Sequence, residues 1–151
     1  MFGVPSADVL EQCRRLGIKT VGAATTLDEA IFLENAGVDM IIASGFEAGG
    51  HRPSFLKSAE ASTTGTFVLL QLIKEKVKAP IIAAGGIANG KGVAAALALG
   101  ASAAQIGTAF WRLMNLTPCL STGKCCFLML QSIPLYPAPL PAGWAGVSPA
   151  G

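Results

Sequence analysis

The sequence predicts an α/β fold of parallel strands joined by helices, and three observations carry that prediction. Short apolar runs alternate with helix-period segments from Ser6 to about Phe110, and glycine or proline marks the junctions between them. Three glycine-rich turns, at 45–50, at Gly85-Gly86 and at Gly107-Thr108, each follow directly on an apolar run. An unbroken apolar run is what a strand buried on both faces of a parallel sheet requires.

The order is helix first. Ser6 is placed to cap a helix whose apolar positions Val9, Leu10, Cys13 and Leu16 recur at helical spacing, and Gly17 ends it before a strand over 19–24. Thr26 caps a second helix carrying Ala30, Ile31, Leu33 and Glu34, and Gly37 stops it ahead of a strand over 39–44. The third helix starts near Thr64 and sets Phe67, Leu70 and Ile73 in one stripe. Lys74, Lys76 and Lys78 gather in its last turns, where the helix dipole favours cations. Pro80 opens the strand 81–84, the turn 85–90 leads into a small-residue helix over 93–99, and Gly100 precedes a last strand over 103–106.

Four parallel strands with alternating helices make half of a TIM-type (β/α) barrel, since a closed one needs eight strands and roughly 200 or more residues. The chain has 151 residues, so the edge strands and inner face of this partial barrel would lie open and would allow self-association. A small open doubly wound sheet is the competing arrangement. The expected division is a half-barrel over 1–110 and an irregular tail over 111–151. That tail has no acidic residue, holds both tryptophans, the only tyrosine and six of the nine prolines, and has neither helix nor strand period.

Composition narrows the function classes. The chain is 52% hydrophobic with a mean hydropathy of +0.55, more apolar than a usual soluble domain. Its net charge of +2 comes from scattered lysines and arginines, which argues against nucleic acid as a partner. No signal peptide opens the sequence, and no apolar stretch approaches the ~20 residues of a membrane span, so a cytoplasmic location is expected. Cys13 stands alone, Cys125 and Cys126 are adjacent and there is one histidine, which leaves no metal-binding pattern.

That histidine, His51, follows the turn containing Gly45, Gly49 and Gly50 at the end of the 39–44 run, where α/β folds place their ligand sites. Glycines let a backbone approach a flat ligand closely, and an imidazole can take a proton from a weak carbon acid. Gly85-Gly86 and Gly107-Thr108, one βα unit apart, read as a paired cradle for a phosphomonoester, with backbone amides and the Thr108 hydroxyl as donors. Glu47 reads as a residue that orients the loop or caps a nearby amide. Arg52 and Lys57 read as solvated surface charges, with an anionic substrate as their other use.

Three stretches in order, Ala48-Gly49-Gly50-His51-Arg52, Ala83-Ala84-Gly85-Gly86-Ile87 and Gln105-Ile106-Gly107-Thr108-Ala109-Phe110, are similar to motifs of the nitronate monooxygenases. These flavin enzymes were formerly called 2-nitropropane dioxygenases, and the resemblance covers residues 2–110 and the second half of the family's barrel. It implies FMN as cofactor and His51 as the catalytic base acting on the substrate's α-carbon. It further implies FMN contacts at Ser44, Gly49, Gly86, Gln105, Ile106, Gly107 and Thr108, with Gly50 and Gly85 close by. Many members carry glutamine where Ser44 stands, and glycine is frequent where Pro53 stands.

The implied reaction is oxidation of an alkyl nitronate or nitroalkane with dioxygen. Two other readings stand beside it, a truncated non-enzymatic remnant that does not hold flavin alone and a flavin-dependent enoyl-acyl-carrier-protein reductase from the same wider group. The family's first four strands have no counterpart before Met1, and the tail reads as a shifted frame. With Phe110-Trp111-Arg112-Leu113-Met114 encoded TTC TGG CGC CTG ATG, one restored T gives Phe-Leu-Ala-Pro-Asp-Glu, and the continuation resembles the family's C-terminus.

Overall fold

A computed structural model describes residues 3–108 together with the backbone of 128–131. Over 3–108, helices and strands alternate as α1 (Ala7–Arg15), β1 (Val21–Ala24), α2 (Leu27–Ala36), β2 (Met40–Ser44), α3 (Thr66–Lys76), β3 (Ile81–Ala84), α4 (Gly90–Ala98) and β4 (Ala103–Ile106), with a 3-10 turn at Ala59–Ala61 before α3. The sheet runs β1-β2-β3-β4 in chain order with every pair parallel. A doubly wound sheet reverses strand order at a switch point, and this sheet does not reverse, so the partial (β/α) barrel is the architecture. A fifth strand, β5 (Leu128–Gln131), pairs antiparallel with β4. It is an addition to the segment read from sequence as irregular. The rest of that segment, the boundary at 110 and the shifted-frame reading lie outside the described residues.

Alternation along the strands divides their side chains between two layers. Ile41, Ala43, Ile81, Ala83, Ala104 and Ile106 join Leu33, Leu69, Leu70, Ile73 and Ala96 in one buried cluster between sheet and helices. Burying each leucine or isoleucine there contributes roughly 1.5–3 kcal/mol, which makes this layer the main source of stability. Gly22 permits it, because a Cβ at that position would lie 2.5 Å from Leu33 Cδ2. Ile42, Ser44, Ile82, Ala84, Ala103 and Gln105 alternate with these and take the barrel-interior face.

Helix starts follow their caps. Thr26 Oγ1 accepts from the Glu29 amide at 3.3 Å, and Gly37 closes α2 in the left-handed region at φ 87°. Asn89 Oδ1 accepts from the Gly92 amide at 3.0 Å, which starts α4 three residues earlier than the apolar spacing indicates. Helix α3 begins at Thr66 after a glycine N-cap and ends at Lys76, so Lys78 lies beyond it. There the Lys78 and Ala79 amides donate to Glu34 Oε1 at 2.6 and 2.9 Å. Ser6 occupies the N-cap of α1 without a side-chain cap bond, and only Leu10 of that helix is buried. Val9 and Leu16 are 45% and 74% exposed, so the stripe read from sequence is largely uncovered by the described residues.

Asp39 ties the entries of the first two strands together. Its Oδ2 accepts from the Thr20 amide and hydroxyl, both at 2.9 Å, and its Oδ1 pairs with Lys19 Nζ at 2.9 Å. The Thr20 amide, the Lys19 ammonium and the Thr20 hydroxyl hold its pKa down, from 3.8 to about 2. A carboxylate with a depressed folded-state pKa contributes stability that is complete above its unfolded value and is lost as pH falls through its folded value. The window is therefore pH 3.8 down to about 2. Asp39→Asn should flatten the acid limb in that window by on the order of 1 kcal/mol, reduced for solvent screening at a site a third exposed. Urea midpoints measured at pH 5.5 and pH 2.5 check this, and a variant that loses as much stability on acidification as the parent would contradict it.

Candidate active site

The three glycine turns meet at the carboxyl ends of the strands. Ser44, Ala84 and Gln105 are Cα partners across β2, β3 and β4 and share one row on the barrel-interior face. The loop leaving β2 folds back over that row. The Gly45 amide donates to the Ala84 carbonyl at 3.0 Å, and the Phe46 amide donates to the Thr64 carbonyl at 2.9 Å. A Cβ at Gly49 would stand 2.8 Å from Thr108 Oγ1, and one at Gly85 would stand 2.7 Å from the Ala48 amide nitrogen. Gly85 and Gly86 also hold φ of 112° and 65°, a region that side-chain-bearing residues avoid. Glycine is therefore required at Gly85, where the loop after β2 approaches at main-chain distance, and favoured at Gly49, where the Thr108 side chain of the third loop closes in.

His51 is exposed on this loop, directly after Gly50 at φ 86° and two residues beyond the Gly49–Thr108 approach. Gly86, Gly107 and Thr108 are exposed at the same rim, and Ser44 is buried at the end of β2. Among the described residues, Gln105 Oε1 is buried without a hydrogen-bond partner. Ile106 departs from the others, because its side chain belongs to the helix-side core. Any ligand contact from it would have to come from its main chain.

Glu47 caps a helix from outside it. Helix α3 has a glycine N-cap and no acidic residue in its first turn, and Glu47 Oε2 accepts there from the Thr66 amide at 2.9 Å and from its hydroxyl at 3.0 Å. Burial alone would raise this carboxyl's pKa. Its own backbone amide, the Thr66 amide and hydroxyl and nearby Arg52 outweigh that and lower it. An anchored carboxylate of this kind supports the loop and is poorly suited to proton transfer at neutral pH.

Arg52 serves the loop as well, which corrects its reading as a solvated charge. Nη1 donates to the Gly45 carbonyl at 2.6 Å, Nη2 donates to the Ser62 carbonyl, and the guanidinium lies 5.8 Å from the Phe46 ring centroid. Lys57 remains at the surface, paired with Asp28 at 3.4 Å.

Glu29 is the residue that sequence reasoning missed. It is fully buried and accepts four hydrogen bonds: Oε2 from the Thr25 amide and hydroxyl, both at 2.7 Å, and Oε1 from the Phe55 and Leu56 amides at 2.6 and 3.0 Å. Burial raises its pKa, but the amides of Leu56, Phe55 and Thr25 and the Thr25 hydroxyl overcome this and lower it. The pattern Thr26-x-x-Glu29 is visible in sequence and would suggest a capping box confined to one helix turn. Its long-range partners have no local signal.

A cavity of about 70 Å³ lined by Leu10, Arg14, Ile18, Lys19, Thr20 and Asp39 lies at the opposite, amino-terminal ends of the strands. It is far below the roughly 300–1,000 Å³ of small-molecule sites and sits at the end that barrels use for stability. No helix among the described residues is long and apolar enough to cross a membrane.

Comparison with known proteins agrees with this geometry. The family model for nitronate monooxygenase matches residues 1–114. A nitronate monooxygenase of Paraburkholderia phytofirmans is 54% identical over 109 residues, covering 72% of this chain and 30% of that protein. The solved nitroalkane oxidase of Streptomyces ansochromogenes superposes with a TM-score of 0.69 at 46% identity, over 73% of this chain and 32% of the other. FabK from Thermotoga maritima superposes with a TM-score of 0.59 at 39% identity, over 70% and 31%. The chain thus spans about a third of the length of the relatives it matches. With its glycine turns, histidine loop and strand order all falling within the matched region, the chain belongs to the nitronate monooxygenase family.

Proposed function

We propose that this chain carries the histidine-bearing part of the active site of an FMN-dependent oxidoreductase, which oxidises alkyl nitronates or nitroalkanes with dioxygen and uses His51 as catalytic base. The observation that carries the reading is the approach of Gly49 to Thr108, which gathers the histidine loop and the Gly107 turn at one rim above the Ser44, Ala84 and Gln105 row. Membership of the family supports it.

The residues fit FMN on two counts. Among the described residues a buried amide oxygen on Gln105 lacks a partner on the face a ligand would meet, and a Cβ at Gly107 would have no heavy atom within 4 Å. Gly86, Gly107 and Thr108 would hold the phosphate through main-chain amides and a hydroxyl. Gly50, where a Cβ would meet no described heavy atom within 4 Å, would leave room for the edge of the flavin ring, with Gly49 and Gly85 close by where the loops pack on one another. Ser44 and Gln105 would face it from the interior row, and Ile106 would contribute main chain alone. Bound FMN supplies the acceptor for the substrate's electrons and their return to dioxygen. His51 takes the α-proton of a neutral nitroalkane, and amides of the glycine turns stabilise the charge that grows on the nitro oxygens. A cytoplasmic location belongs to the same reading and rests on the sequence alone.

Titrating the full chain with FMN tests this. Yellow protein should survive gel filtration, and Thr108→Val should weaken FMN binding by about ten-fold or more, the size of one hydrogen bond to a charged group. Protein that stays colourless at saturating FMN would overturn the reading in favour of the non-enzymatic remnant. Exposed Val9 and Leu16, and a β1 edge with one neighbour among the described residues, support that second reading and would also permit self-association. The enoyl reductase implied by the sequence resemblance is a further arm, read by oxidation of a nicotinamide nucleotide in the presence of an enoyl thioester.

A further inference from the structure

We propose that Glu29 is a positioning residue for His51, its carboxylate joining the end of β1 to the segment that follows the histidine and so fixing how the histidine loop lies over the rim. The importance of that placement rests on the function proposed above. A buried carboxylate is costly unless its lone pairs are filled, and here four donors fill them. Two donors come from Thr25, next to β1. The other two, the Phe55 and Leu56 amides, lie 26 and 27 residues away, four and five residues after His51.

The same face of α2 holds this segment by two more contacts. Phe32 meets Phe55 edge to face, with ring centroids 6.2 Å apart at 70°, and Asp28 pairs with Lys57 at 3.4 Å. On the other flank Arg52 is bonded to the Gly45 and Ser62 carbonyls, and Pro53 between the two anchors is buried. His51 therefore stands beside one fixed point and four residues before another. Helix α2 contributes no residue to the rim itself, and its first turn instead sets the loop that does.

The carboxylate is needed for more than shape. A glutamine of equal size presents one acceptor oxygen and one NH₂ group, so two of the four donors would face a donor. An aspartate keeps the charge but is one methylene short of reaching both Thr25 and the Phe55–Leu56 amides. Amide hydrogen exchange and the NMR signals of the His51 ring, measured on the full chain as Glu29→Gln and Glu29→Asp, test the proposal.

Exchange at Phe55 and Leu56 should speed up roughly ten- to hundred-fold, as expected for a lost buried hydrogen bond. The His51 ring signals should shift, while Ile42 and Ala83 in the central strands keep their protection. With FMN and a neutral nitroalkane, kcat should fall while flavin affinity stays unchanged. Unaltered His51 signals in both variants would overturn the proposal. So would failure of both to fold, or protection lost evenly through β2 and β3, since Glu29 would then serve the fold and not the loop. If the parent chain neither binds FMN nor turns over a nitroalkane, the proposed function fails, and the exchange and ring-signal arms still decide the role of Glu29.

Discussion

Gly45→Ala should cost about 4 kcal/mol of stability or leave the chain unfolded, among the largest effects a single methyl group can have. The added Cβ would fall on the Thr66 hydroxyl, amide nitrogen and Cα, well inside contact distance. Two of those three atoms are main chain, so no rotamer change relieves the clash. Moving Thr66 away would break its two bonds to Glu47, and moving Gly45 would break the bond from its amide to Ala84 and the one its carbonyl accepts from Arg52. The first turn of α3 and the root of the histidine loop are thus joined at a point with no room for a side chain.

Gly107→Ala is the matched control, because a Cβ there meets no heavy atom of the described residues within 4 Å, and its stability should change by no more than ~0.5 kcal/mol. Urea denaturation of both variants checks the contrast. A Gly45→Ala protein within 1 kcal/mol of the parent would mean that the loop and α3 do not pack as described.

What sequence could and could not announce follows from the range of each interaction. Strands β3 and β4 match their expected limits residue for residue, because each is an apolar run closed by a glycine or proline. Thr26 and Gly37 delimit α2 for a similar reason, since a cap acts within one turn of its own helix. Apolar spacing in α1 described a face and left its burial open, since spacing records which residues share a side and not what covers that side.

The supports of the site were the least legible. The capping role of Glu47 is legible in sequence, but its partner Thr66 lies 19 residues away, and Glu29 reaches Leu56 over 27. Arg52 looked like a surface charge because its two acceptors are main-chain carbonyls, which any residue supplies. The glycines were the exception among long-range features. Their conformational freedom is a property of the residue itself, so Gly49 and Gly85 mark close approaches without naming the partner.

His51→Ala should lower turnover of a neutral nitroalkane by about 10²- to 10⁴-fold, the usual contribution of a positioned general base. The side chain is exposed, so its loss should cost the fold far less than it costs turnover. Flavin affinity should also hold, because the phosphate is assigned to Gly86, Gly107 and Thr108 on the other two turns. A preformed nitronate separates the roles, since it has already lost the α-proton and needs no base to remove it. Its oxidation should therefore fall far less than that of the neutral substrate. Oxygen uptake measured with both substrates gives the comparison directly, expressed as a ratio of kcat/KM losses. A base acting at carbon makes that ratio large, whereas a histidine that only holds the bound anion makes it close to one. Equal losses on the two substrates would remove His51 from proton transfer while leaving the geometry of the rim unchanged.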